Sequence, residues 1–75
     1  MNTFTVSQKA KKWRVIHAYK DDFNSVEYEF TEKMTYRQAE DYFNLITAFS
    51  EYPNRGKLIT CVIVAEHSGI ELVCK

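Results

Sequence analysis

Residues 58–65 read Leu-Ile-Thr-Cys-Val-Ile-Val-Ala, an apolar run with no polar alternation. The run is too short for a typical helix and rich in β-branched side chains, so it predicts a strand over 57–66. A strand that is apolar on both faces belongs in the middle of a sheet and needs cover on each side. The rest of the chain has to supply that cover, and this limits the folds open to it.

Only residues 35–51 carry helical periodicity. Thr35-Tyr36-Arg37-Gln38 fits a capping box, in which the Thr hydroxyl takes an orphan N–H and the Gln side chain reaches back. Met34 and Ala39 stand where a hydrophobic staple forms. Ala39, Tyr42, Phe43, Ile46 and Phe49 mark one stripe, with Leu45 on its flank. Glu40 and Asp41 are placed in the early turns, where the helix dipole favours acids. Pro53 stops the helix, and Asn54-Arg55-Gly56 makes the turn that follows.

Residues 13–31 read as a hairpin. Trp13, Val15, His17 and Tyr19 alternate with Arg14, Ile16, Ala18 and Lys20, and Val26, Tyr28 and Phe30 alternate with Glu27 and Glu29. A four-residue loop over 21–24 sets Tyr19 opposite Val26, His17 opposite Tyr28 and Val15 opposite Phe30, giving one face of aromatic and β-branched pairs. The other face then sets Ile16 against Glu29 and Ala18 against Glu27. Residues 3–7 suit a short edge strand. Ile70 to Cys74 returns as a last strand after His67-Ser68-Gly69. A two-residue loop there would oppose Glu66 and Glu71, so three or four loop residues are expected.

The order is β(β)β-α-ββ. It predicts one small α+β domain over 1–75, with an antiparallel sheet of four or five strands and one helix on one face. With 75 residues the core is small, although 45% hydrophobic and 15% aromatic content enlarges it. Dimerisation or partner binding suits such a chain.

A helix of 17 residues is about 25 Å long and 10 Å wide, enough to shelter one side of the sheet. Yet Leu58, Thr60, Val62 and Val64 point one way from the central strand, and Ile59, Cys61, Ile63 and Ala65 point the other. Two covers are open for the second side. One is another protein or a second copy of the chain; the other is the N-terminal arm, with Phe4, Val6 and lysine shafts folded across it.

Charge is segregated along the chain. Lys9, Lys11, Lys12, Arg14 and Lys20 precede the first acid, Asp21, and the remaining residues hold ten acids against five bases, so the formal net charge of zero is +5 and −5 in sequence. The basic edge Lys9, Lys11, Lys12 and Arg14 would steer an acidic partner. The segment 9–20, with Trp13 among its cations, also allows a nucleic-acid-binding module. A pI near 6.7 argues against that reading, and Trp13 falls in phase with the buried ladder.

Catalytic chemistry finds no footing. His17, His67, Cys61 and Cys74 lack the short spacings of a metal site, and both cysteines stand in apolar strands where a thiol is inert. Asp21-Asp22 fits a turn and Glu40-Asp41 a helix. Gly56 and Gly69 do not form a phosphate loop. No metal, no cofactor and no enzyme activity are expected. The start, Met1-Asn2-Thr3-Phe4-Thr5, lacks a secretory pattern and no run spans a bilayer, so the expected place is the cytoplasm.

The reading that results is a small non-enzymatic regulator or inhibitor acting by surface contact, with the nucleic-acid module as the alternative. In size and style the chain resembles the small accessory and inhibitor proteins of phages and mobile elements. The candidate contact residues are Val62, Val64, Leu72 and Val73 on the spare sheet face, together with the basic edge. Phe23, Tyr36 and Tyr52 join them as aromatics at element ends. Phe23 has a second option, folding back onto Tyr19.

Overall fold

A computed structural model describes residues 6–74. The elements run β1 (Trp13–Lys20), β2 (Val26–Phe30), α1 (Tyr36–Thr47), β3 (Glu51–Tyr52), β4 (Gly56–His67) and β5 (Ile70–Val73). All strand pairs are antiparallel, in the order β2-β1-β4-β3, with β5 also paired to β4. The α+β architecture is the expected one, with β4 in the middle of five strands. The suggested edge strand over 3–7 lies mostly outside the described residues, and Val6 and Ser7 are not in a strand.

β4 extends over about 40 Å at its strand rise, which matches the molecule's longest dimension of 40 Å. α1 is shorter than its periodicity predicts. Its 12 residues span about 18 Å, and Ala48 is its C-cap. The helix yields early because Glu51 and Tyr52 pair with Lys57 and Gly56 on β4 instead. The Tyr52 hydroxyl donates to the Ile46 carbonyl, one of the acceptors that the helix end leaves open. The capping box forms as expected: the Gln38 amide donates to Thr35 Oγ1, and the Thr35 amide donates to Gln38 Oε1 at 3.1 Å. Because the helix starts at Tyr36, Glu40 and Asp41 fall beyond its first turn, and Glu40 accepts from the Tyr36 hydroxyl at 3.1 Å.

The helix covers one face of the sheet. Trp13, Val15, Ile63 and Ala65 pack there around Ala39, with Val6, Met34, Tyr36, Tyr42, Phe43 and Cys61 against them. The arm folds onto this same covered face: Trp13 Nε1 donates to the Ser7 carbonyl at 3.1 Å, and the Tyr36 amide donates to the Gln8 carbonyl at 2.9 Å. Cover for the opposite face by residues 6–12 is therefore overturned. Phe4 lies outside the described residues.

The hairpin register differs from expectation by one residue. His17 faces Glu29, Ala18 faces Tyr28 and Ile16 faces Phe30. The loop holds five residues because Asp21 builds it: its Oδ1 accepts from the Phe23 and Ser25 amides at 2.8 and 2.9 Å. Asn24 adopts φ 64°, a left-handed conformation that Asn tolerates. A one-residue slip exchanges faces. Val26, Tyr28 and Phe30 thus lie away from the helix, and Glu27 and Glu29 lie beside Tyr19 and His17.

Two other expectations need correction. The last hairpin has a two-residue loop, with Ser68 at φ 54° and Gly69 at φ 80°, and it does oppose Glu66 to Glu71. Each acid is answered by its own cation: Lys33 Nζ stands 2.7 Å from Glu66, and Arg14 Nε stands 2.8 Å from Glu71. In β4, the register shifts between Ala18↔Thr60 and Tyr19↔Leu58, leaving Ile59 as an extra residue. This bulge carries Leu58 to the covered face.

Gly56 starts β4 at φ 105°, packed against the end of β1. A Cβ there would collide with the Lys20 carbonyl and lie 2.9 Å from the Asp21 Cα. Gly56→Ala should therefore lower stability by about 2–3 kcal/mol. Urea unfolding should show this as a reduced midpoint at an unchanged slope; an unchanged midpoint would show that this approach is not tight.

Candidate interaction surface

Along β1 the side chains of Arg14, Ile16, Ala18 and Lys20 point away from the helix. The register sets Phe30, Tyr28 and Val26 beside the last three, and Val64, Val62 and Thr60 beside the first three. Val73 follows next to Val64. The helix-free face thus carries apolar side chains from four strands, with Arg14, Thr60 and Lys20 among them. Tyr28 is 61% exposed, Phe30 62% and Val73 68%, while Ile16 and Val62 are half-buried. Solvated sheet faces ordinarily alternate toward polar residues.

The sequence candidates divide on this frame. Val62 and Val73 lie on the open face as expected. Val64 shares it but is buried, because the Arg14 side chain has to cross β4 to reach Glu71 on β5 and so lies over it. The Arg14 Nε–H does not aim at that oxygen, so the contact is an ion pair without a hydrogen bond. Leu72 pairs with Ala65 and so belongs to the covered face, a correction that follows from the tight loop. Tyr36 is half-buried edge-on against Trp13, ring centres 4.7 Å apart, and Tyr52 is tied to the helix end and to Tyr19. Neither is a free anchor. Phe23 does not fold back onto Tyr19; it stands 89% exposed at the hairpin tip. It rims an open groove of about 670 Å³ between the two turns, whose wall mixes Lys20, Arg55 and Lys57 with Asp21, Asp22 and Glu51.

The basic edge is partly answered from within. Lys9, Lys11 and Lys12 are exposed, Lys9 beside a groove of about 440 Å³ with Arg37, Glu40 and Asp41. Lys33, Lys12 and Arg14 all act on Glu66, whose carboxyl is held below its ordinary value chiefly by the Lys33 hydrogen bond. Trp13 is only 6% exposed and cannot stack on a base. The charge separation along the chain is thus answered in space at Arg14 and Lys12, while Lys9 and Lys11 stay exposed.

Sequence reasoning missed Ile16, Val26, Tyr28 and Phe30 as surface residues, because the expected register placed the last three in the buried ladder. The signal that could have found them is Asp21-Asp22-Phe23-Asn24-Ser25, an Asp that caps its own turn followed by an Asn suited to positive φ.

The covered face carries the remaining titratable cluster. His17 is 1% exposed, with its ring 5.4 Å from Tyr19 and 5.8 Å from Tyr42. Among the described residues its Nδ1 has no hydrogen-bond partner, and it lies 3.8 Å from Glu29, which Arg55 engages directly. Burial pushes the imidazole below its ordinary 6.5; the pull of Glu29 opposes this and Arg55 adds to it. Burial raises the Cys61 thiol, which keeps it protonated and unreactive. Among the described residues, no three of His, Cys, Asp and Glu come together as a metal site, and no helix is long and apolar enough to cross a membrane.

Comparison of the chain with protein-family models, with curated proteins and with solved structures gives no match.

His17 makes stability depend on pH. Its folded pKa lies below the unfolded value, so its contribution is complete above pH 6.5 and is lost as pH falls from there through the folded pKa. Urea midpoints taken from about pH 7.5 down to about pH 5 should fall in the native chain and less steeply in His17→Gln. Equal slopes would remove His17 as the cause.

Proposed function

We propose that this chain is a non-enzymatic protein-binding regulator or inhibitor that acts by surface contact. The observation that carries the reading is the row Val26, Tyr28 and Phe30, set beside Ile16 and Val62 on a sheet face that no described element covers. Contiguous exposed apolar surface marks an interface more often than it marks anything else. Exposed aromatic side chains such as Tyr28 and Phe30 are the kind that carry most of the binding energy in protein contacts. The exposed lysines Lys9, Lys11 and Lys12 lie outside this row and carry no part of the reading.

Tyr28→Asp and Phe30→Asp test the reading. Both side chains are exposed, so the melting temperature should move by no more than a few degrees. Each variant should lose at least about tenfold of the affinity with which the native chain holds its partner from a cell extract. Partner retention at native affinity by both folded variants would sink the proposal.

A further inference from the structure

β2 is the edge strand of the sheet, and its backbone shows what that edge offers. The Asp21 amide donates to the Ser25 carbonyl, and the Thr31 amide donates to the Val15 carbonyl, each at 3.0 Å. Both pairs belong to the register that sets Tyr19 against Glu27 and His17 against Glu29. In an antiparallel ladder, hydrogen-bonded pairs alternate with pairs that are not bonded. Glu27 and Glu29 therefore bond inward to β1. The N–H and C=O groups of Val26, Tyr28 and Phe30 point outward, where no strand of the described residues follows.

Edges of this kind are usually blunted by short length, charged side chains, Pro or a bulge. β2 reads Val-Glu-Tyr-Glu-Phe, has no Pro, Lys or bulge, and pairs with β1 in unbroken register; Glu27 and Glu29 are its charged side chains, and they disfavour an acidic strand while leaving the edge open to a basic one. Its side chains set a further condition. Residues 21–32 hold five acids and no base. On one face an added strand would meet Glu27 and Glu29, of which Arg55 answers only the second; on the other it would meet Val26, Tyr28 and Phe30. A second copy fits badly, because alternation puts acid against acid in any antiparallel pairing of β2 with itself over these residues.

We propose that β2 accepts an extended segment of a partner protein as a sixth strand, and that this segment alternates Lys or Arg with apolar residues. Backbone pairing to Val26, Tyr28 and Phe30 supplies affinity, and the acids on one face select the basic segment. The inference rests on the protein-binding reading and names the chemistry of the partner.

The probe is an end-blocked peptide of alternating lysine and valine, slightly longer than β2, added to the full chain. Amide hydrogen exchange should slow at least about tenfold at Val26, Tyr28 and Phe30, whose amides are free, and change little at Glu27 and Glu29. Binding should weaken with salt, and a glutamate–valine peptide should bind at least about tenfold more weakly. Tyr28→Pro removes an outward N–H and no bond to β1, so it should abolish peptide binding in a folded protein. Glu27→Lys leaves the backbone intact and should shift preference toward the glutamate peptide, which keeps the test alive if the proline variant does not fold. Binding without protection of those three amides, or equal affinity for both peptides, would overturn the proposal. So would concentration-dependent protection of the same amides in the free chain, which would assign the edge to a second copy. If Tyr28→Asp and Phe30→Asp lose the natural partner while the lysine peptide leaves the edge amides open, the face reading survives and strand addition does not.

Discussion

One short helix serves a sheet whose central strand runs the length of the molecule. α1 spans roughly half of β4, and a helix is only about 10 Å across. It can dry one face at one place, and there Trp13, Val15, Ile63 and Ala65 close around Ala39. The described part of the N-terminal arm packs Val6 on this same core, and its Ser7 carbonyl accepts from Trp13 Nε1. The asymmetry of the molecule follows from that allocation. One side is a packed interior with a buried histidine; the other presents Tyr28, Phe30 and Val73 to solvent.

The ion pairs answer acids that the strand pairing sets in place. Glu66 and Glu71 face one another across the last hairpin, an arrangement unfavourable by itself. It stands because Lys33 and Arg14 reach the two carboxylates from outside the hairpin. The same Arg14 side chain shields Val64, so one cation allows a tight turn and covers an apolar residue. Arg55 binds Glu29 and lies 5.3 Å from the centre of the Tyr19 ring, which ties the β3–β4 turn to β2. Surface pairs of this kind contribute little stability singly. Their effect here is local: they neutralise the opposed Glu66 and Glu71 and hold Glu29 at the β3–β4 turn.

Much of the architecture was legible because it is local. The capping box at Thr35, the β-branched run after Gly56 and the alternation around Trp13 each specify an element through contacts within a few residues. What failed was longer in range by only a little. The periodicity carries the helix to residue 51, but Glu51 and Tyr52 pair with Lys57 and Gly56 on β4, and the Tyr52 hydroxyl closes the helix end. The alternation sets the first hairpin one residue out of register, since the strand pattern alone does not count loop residues. Asp21 and Asn24 do, through a side-chain cap and a positive φ. That single residue decides whether Tyr28 and Phe30 are core or surface, and so whether the candidate site is visible at all.

Residue order by itself determined that this chain would make a sheet with an apolar central strand and one amphipathic helix, because hydrophobic period and capping act within a turn or a strand. It also determined that one sheet face would lack a helix, because no second amphipathic segment exists to lie on it. Only the tertiary structure decided which residues stand on that face, where the arm lies and which acids meet which bases. Those outcomes depend on loop length, on a bulge at Ile59 and on cations reaching between strands distant in sequence. Each is a choice between arrangements of nearly equal local energy, and only contacts across the whole sheet separate them.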